Sequence, residues 1–218
     1  MSSPFWCRVC CDPMRESYVT IKGPLEHEVT IKGSRFISCI LPCSSESDLE
    51  EGLSYVKERY PNATHYCYAA RFSSNERFSD NGEPSGTAGR PMIQVLRGSG
   101  VDDIMAVTVR YFGGTLLGTG GLVQAYSDTT SEAIGSAQPV RMLYCERIAF
   151  KCGYQEYNRF LSECNALICG RPEESFADVV DLISNVPLEN RERFLRMVND
   201  ITRGNVHIRT LGYIYAEG

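Results

Sequence analysis

Asp80-Asn81-Gly82-Glu83-Pro84-Ser85-Gly86-Thr87-Ala88-Gly89-Arg90-Pro91 is the first of two glycine-rich runs that organise this chain. The second is Arg110-Tyr111-Phe112-Gly113-Gly114-Thr115-Leu116-Leu117-Gly118-Thr119-Gly120-Gly121. Glycine admits backbone angles closed to other residues and lets a partner come close to the main chain. A packed core has no need of so much local freedom, so two such loops in one half of a chain point to a shared surface feature. In the first run, Glu83-Pro84-Ser85-Gly86 is turn chemistry, with Pro fixing one angle and Gly releasing another. Thr87 then stands where a helix N-cap is expected, ahead of Pro91, Ile93, Val95 and Leu96. Gly98-Ser99-Gly100 ends that helix. Ile104-Met105-Ala106-Val107-Thr108-Val109 is an almost unbroken apolar run, the mark of a buried central strand. It leads through Arg110 into Gly113-Gly114. The second cluster opens a helix whose buried stripe is Leu122, Ala125, Tyr126, Thr129 and Ala133. Strand, glycine-rich turn and helix together suit an anion at the helix N-terminus.

Upstream of these loops, Tyr18-Val19-Thr20-Ile21 reads as a short strand closed by Gly23-Pro24. Val29-Thr30-Ile31 and Phe36 to Leu41 read as two more. Between them, Gly33 predicts a bulge or a close backbone approach. Lys32 and Arg35 flank it, either as solvated edge charges or as anion contacts. Ser47-x-x-Glu50 is a capping box. Leu49, Leu53, Val56 and Tyr60 follow at helical spacing, and Pro61 stops the helix. Thr64 to Phe72 is a strand with two usable faces: Tyr66, Tyr68, Ala70 and Phe72 on one, His65, Cys67, Ala69 and Arg71 on the other. Two such faces make it an inner strand.

Downstream, Gly135 to Pro139 has the look of a linker, and the pattern then restarts. Ile148-Ala149-Phe150 is a strand; Tyr154, Tyr157, Phe160 and Leu161 form a helical stripe. Ala166 to Cys169 and Phe176 to Ser184 are two strands. Pro187 precedes a helix carrying Phe194, Leu195, Val198 and Ile201 and capped by Gly204. Val206 to Tyr215 is the last strand. The order βαββαβ is that of a ferredoxin-like domain.

The chain of 218 residues is long enough for one large domain or two small ones. Its 43% hydrophobic and 22% charged residues are ordinary for a globular protein, and its net charge of −5 excludes a generally basic coat for nucleic acid. No apolar run reaches membrane-spanning length, and residues 1–14 lack a signal-peptide core, so a cytoplasmic location is expected. Ten cysteines are spaced irregularly. Cys7-x-x-Cys10 has metal-ligand spacing, but no second pair follows, and neither a metal nor a cofactor is expected. Cys67, Cys152 and Cys164 sit among apolar residues as small hydrophobes.

The chemistry these residues offer stays open at the level of the sequence. Gly-Thr-Gly-Gly at 118–121 is followed by no Gly-Lys-Ser/Thr, so it is not a P-loop, and the dinucleotide fingerprint is absent too. An acid–base scheme would draw on His65, Asp80 and Glu83; a nucleophilic one would need Ser85 or Cys67 beside a base. For binding, Arg71, Arg77, Arg90, Arg97 and Arg110 offer forked donors suited to phosphate. Acids lie among them, and Arg90 with Asp80 or Glu83 reads equally as an internal ion pair. Tyr111 and Phe112 are placed either to stack on a base or to fill the core.

The two glycine-rich runs, together with Lys32-Gly33-Ser34-Arg35-Phe36 and His65, resemble the YigZ/IMPACT family from about Tyr18 to Ala137. The second half is similar to the smaller C-terminal domain of the bacterial-type members. The resemblance implies an α+β protein of two domains. The first is an α/β fold like that of ribosomal-protein and GHMP-kinase domains, with a left-handed βαβ crossover against the usual right-handed rule. The second is a ferredoxin-like βαββαβ domain similar to those of elongation factor G. The boundaries expected are a loose extension at 1–17, the first domain at 18–137, a linker at 138–144 and the second domain at 145–218. Both folds serve in RNA and ribosome binding. Eukaryotic members regulate translation by competing for the activator of a kinase that senses uncharged tRNA; they carry an N-terminal RWD domain with no counterpart in this sequence. The resemblance brings no established catalytic residues.

The leading expectation is a non-enzymatic RNA- or ribosome-associated factor that modulates translation. A protein-binding regulator of a translation-control kinase pathway and an enzyme on a phosphorylated small molecule are the alternatives. The expected binding residues are Lys32, Arg35, His65, Asp80, Glu83, Ser85, Gly86, Thr87, Arg90, Arg110, Tyr111, Phe112, Gly113, Gly114, Gly118, Gly120 and Gly121, forming an open cradle for something negatively charged.

Overall fold

The computed structural model describes residues 15–72 and 75–218. In chain order it holds β1 (Ser17–Ile21), β2 (Leu25–Ile31), β3 (Ser34–Pro42), α1 (Glu46–Arg59), β4 (His65–Phe72), β5 (Asn75–Ser79), α2 (Gly89–Gly98), β6 (Ile104–Tyr111) and α3 (Gly118–Gly135). There follow β7 (Pro139–Cys152), α4 (Tyr154–Cys164), β8 (Cys169–Phe176), β9 (Val180–Pro187), α5 (Arg191–Ile201) and β10 (Arg209–Glu217). The fold is α+β. The described residues divide into two compact units, one of 19–140 and one of 15–18 with 141–218. Residues 1–14, which carry Cys7 to Cys11 and most of the expected N-terminal extension, lie outside the described part. No described helix is long and apolar enough to cross a membrane.

In the first unit the sheet order is β2-β3-β6-β4-β5, with every neighbouring pair antiparallel. Helices cover both faces, which is why central β6 is apolar on both. Ile104 and Ala106 join the core under α2 and α3, while Met105, Val107 and Val109 join the core under α1. The buried stripe of α3 is the expected one, and Leu49 and Val56 bury α1. Thr108 is a polar exception on β6, fully buried. Its hydroxyl donates to Ser38 Oγ at 3.0 Å and lies 3.4 Å from Thr130 Oγ1, so the cost of burying it is met internally.

Local differences from expectation have local causes. The N-cap of α1 is Ser45, not Ser47: Ser45 Oγ accepts from the Asp48 amide at 3.2 Å, and Asp48 reaches back to the Ser44 amide at 2.8 Å. The chain is anchored here by the Cys43 amide on the Asp103 carbonyl, which starts the helix early. Strand β5 has no counterpart in the sequence reading. It is a mostly polar edge strand with Phe78 as its one large apolar residue, paired to β4 through the main chain and tied to α2 and α1 by the ion pairs Arg97–Glu76 and Arg77–Glu46, so it carries no apolar period to reveal it.

The second unit has the expected βαββαβ order and a sheet ordered β10-β7-β9-β8, with β1 also beside β7. Phe150, Phe160 and Phe194 meet edge-on at the centre of its core, with centroids 5.2, 6.2 and 6.1 Å apart. The strand expected at Ala166 to Cys169 begins only at Cys169. Asn165–Leu167 is a 3-10 turn that drives Leu167 into the core. Most of the residues expected to link the units, 138–144, lie in β7.

Candidate functional site

The Asp80-to-Gly89 loop is knitted to the protein by its own side chains. Asp80 Oδ2 accepts from the Gly86 amide at 2.8 Å, and Oδ1 from the Ala88 and Gly89 amides at 3.0 and 2.9 Å. Asp80 therefore caps α2 across the loop, where Thr87 was expected to do so. Thr87 instead turns its hydroxyl back to the Pro84 carbonyl at 2.6 Å. Burial raises the Asp80 pKa, but the Gly86, Gly89 and Ala88 amides and the charge of Arg90 outweigh it and hold the carboxyl below its ordinary range. With the Glu83 and Thr87 amides on the Asp80 and Pro84 carbonyls, the amides from Gly86 to Gly89 are already taken, and they offer no open anion cradle. Arg90 and Ser85 stay exposed.

Asn81 and Gly82 position His65 at the start of β4. The Asn81 carbonyl lies 2.9 Å from His65 Nδ1, and Asn81 Oδ1 accepts from the Tyr66 amide at 2.8 Å. Gly82 has φ +85°, and a Cβ there would stand 3.3 Å from His65 Nδ1, so the turn fits closely around the ring.

Glu83 and Arg110 form a buried ion pair. Arg110 Nη1 donates to Glu83 Oε1 at 2.6 Å, and the two residues are 4% and 8% exposed. Arg110 sits on β6 at the position after Thr108 on the α2/α3 face, so the alternation of the strand turns it inward. The Tyr126 hydroxyl of α3 donates to the same Glu83 oxygen at 2.9 Å. The Arg110 guanidinium lies between the rings of Phe36 and Phe112, 5.3 and 5.5 Å from their centroids. Its Nη2 reaches Ser34 Oγ at 3.3 Å, while Nε is buried with no hydrogen-bond partner among the described residues. Burial, then Cys67 and Glu83, push the Tyr126 phenol well up, so it stays protonated as a donor. Burial likewise pushes the Cys67 thiol up to about 12. It lies 2.9 Å from the Asp80 carbonyl and is no nucleophile at neutral pH.

The second glycine run is open where the first is closed. At Gly113 the backbone touches the β2–β3 turn: a Cβ there would fall 1.9 Å from the Gly33 carbonyl carbon and oxygen. Lys32 and Gly33, at φ +46° and +81°, make a two-residue hairpin turn that fits against it. The predicted close approach at Gly33 is therefore to Gly113. Beyond Gly113, α3 begins at Gly118 with no side-chain cap and no acid in its first turn. The Gly118, Thr119 and Gly120 amides have no intrahelical acceptor, and they carry the positive end of the helix dipole.

A cavity of about 340 Å³ lies between this helix start and the buried pair. His65, Glu83 and Arg110 form its polar side, Phe112, Leu116 and Leu122 its apolar side, and Gly118 and Thr119 its helix end. Such a space suits a small ligand or one unit of a polymer. His65, Glu83, Arg110, Phe112 and Gly118 of the expected residues meet here, with Gly120 and Gly121 in the next positions of α3. Others are elsewhere. Arg35 is held by Glu28 at 2.5 and 2.8 Å and lies over the Tyr111 ring, whose hydroxyl donates to the Pro61 carbonyl at 3.1 Å. Asp80, Gly86 and Thr87 serve the loop itself. The sequence reading missed Thr64, which accepts from the Phe112 amide at 3.1 Å, and Ser34, which accepts from the Gly113 amide at 3.2 Å. It took Tyr126 for core alone; a phenol on a buried stripe is a signal that some acceptor must meet it.

Known proteins match both halves. Residues 32–134 match the family model described as the Impact N-terminal domain. The chain is 32% identical over 207 residues to the IMPACT family member YvyE of Bacillus subtilis, covering 94% of this chain and 95% of that protein. It is 33% identical over 201 residues to the IMPACT family member YigZ of Escherichia coli, covering 88% and 97%. A crystal structure of a hypothetical protein superposes with a TM-score of 0.63 at 31% identity, covering 89% of this chain and 97% of that one. With likeness of this degree over both units, the chain belongs to the IMPACT family.

Proposed function

We propose that this protein is an RNA-binding factor of the cytoplasm that acts on translation, on free RNA or on the ribosome, and that the cavity at the start of α3 receives one nucleotide. The observation that carries the reading is the meeting of an uncapped, acid-free helix start with the ring of Phe112 and the Arg110 guanidinium around one space. A phosphate suits the amides of Gly118 to Gly120, and a base suits the half-exposed Phe112 ring. Glu83 and Arg110 neutralise each other, so Arg110 orders the aromatic wall and contributes little net charge. This favours a binding role over acid–base catalysis.

The test is fluorescence anisotropy with short single-stranded RNA across a salt series, alongside ribosome co-sedimentation. Binding at low salt that weakens as salt rises is expected. Phe112→Ala is expected to lower affinity at least fivefold, since stacking on a base contributes about 1–3 kcal/mol. No association with RNA or ribosomes at low salt overturns the reading. One observation favours a second reading as a protein-binding regulator: Leu116 is 83% exposed beside Phe112, an apolar pair that also fits a partner chain. A partner protein retained after nuclease treatment, and lost with Leu116→Asp, would support that alternative.

A further inference from the structure

His65 is held at one ring nitrogen and open at the other. Nδ1 stands 2.9 Å from the Asn81 carbonyl oxygen, which only accepts, so Nδ1 carries the hydrogen. In the neutral ring Nε2 is then a lone-pair acceptor. Nε2 stands 3.9 Å from Glu83 Oε1, beyond hydrogen-bond distance, and in the neutral ring these two acceptors do not bond each other. Oε1 is already supplied by Arg110 at 2.6 Å and Tyr126 at 2.9 Å. Among the described residues Nε2 therefore has no hydrogen-bond partner, and its ring lines the cavity. The ring is fixed there by the Asn81-Gly82 turn, whose left-handed backbone aims the carbonyl at Nδ1.

We propose that His65 Nε2 accepts a hydrogen bond from the 2′-hydroxyl of a ribose seated in this cavity, so that the pocket selects RNA over DNA. The inference rests on the reading of the cavity as an RNA site and assigns the residue that sets its sugar specificity. A ribose hydroxyl brings the hydrogen that Nε2 lacks; a deoxyribose brings none and leaves a desolvated acceptor unpaired. The His65 side chain is 18% exposed, so the discrimination expected is that of a partly desolvated bond, roughly tenfold.

Three single-stranded oligonucleotides of one sequence distinguish the possibilities by anisotropy: RNA, DNA and 2′-O-methyl RNA, which keeps the oxygen but has lost its hydrogen. Wild type is expected to bind RNA about tenfold tighter than DNA, with the methylated strand resembling DNA. His65→Ala is expected to abolish the difference between RNA and DNA, because it removes both the bond to the 2′-hydroxyl and the acceptor that a deoxyribose leaves unpaired. His65→Gln, which restores an acceptor, is expected to recover part of the preference, and a native melting temperature for that variant shows that the unit is intact. Equal binding of RNA and DNA by wild type, or a preference that survives His65→Ala, overturns this inference while the RNA-site reading stands. Binding of none of the three overturns both.

Discussion

Replacing Arg110 with Ala tests whether the guanidinium is an internal strut or a surface cation. In the structure it is 4% exposed, bonded to Glu83 at 2.6 Å and to Ser34 at 3.3 Å, and flanked by the Phe36 and Phe112 rings. Its removal leaves the Glu83 carboxylate buried with only Tyr126 to serve it. Breaking a buried pair from one side costs about 3–5 kcal/mol. The lost ring contacts add about 0.5–1 kcal/mol each. Total stability of a domain is about 5–15 kcal/mol, so Arg110→Ala is expected to remove a large share of it. Native-state hydrogen exchange of the β6 amides reads the loss in this unit separately from the other. Glu83→Gln combined with Arg110→Met removes both charges together and keeps volume. It is expected to recover at least about 2 kcal/mol relative to the single Arg110→Ala change, because no lone charge remains. Arg110→Ala within about 0.5 kcal/mol of wild type, the range of an ordinary surface substitution, would refute the reasoning.

Two other expectations follow from single contacts. Asp80→Asn loses the charge and one of the two acceptor oxygens that hold the Gly86, Ala88 and Gly89 amides, for about 1–2 kcal/mol at neutral pH. The folded carboxyl titrates below its ordinary range, so its contribution is present above that range and lost as pH falls through it toward the folded value. Melting temperatures of wild type and Asp80→Asn should converge on acidification, and a constant gap would count against the cap. Gly113→Ala would place Cβ 1.9 Å from the Gly33 backbone, whereas Gly120→Ala meets nothing within 4 Å and lies in helix. The first is expected to destabilise by at least about 2 kcal/mol and the second to be neutral or slightly stabilising, as read by thermal denaturation.

Much of the architecture was legible because its signals are local. The two faces of β4, the apolar run of β6 and the stripe of α3 are periodicities, and each is buried as the period requires. The order βαββαβ of the second unit could be read in the same way, although the turn at Asn165–Leu167 was mistaken for strand. Apolarity alone does not separate a short buried turn from a short buried strand. The polar edge strand β5 gave no period at all. Capping was misjudged twice, at Ser47 and at Thr87, because several hydroxyls and carboxylates compete for each helix start and only the incoming chain direction selects one.

By itself, the sequence determined that glycine would gather beside a central strand and at the mouth of a helix, since those are properties of neighbours along the chain. Only the tertiary structure decided that the first glycine run closes on Asp80 while the second stays open. It alone joined Glu83 to Arg110 across the intervening helix α2, and left His65 with one nitrogen satisfied. Those outcomes depend on which donors and acceptors the packed sheet and helices bring within about 3 Å of one another, a distance that no spacing along the chain can specify.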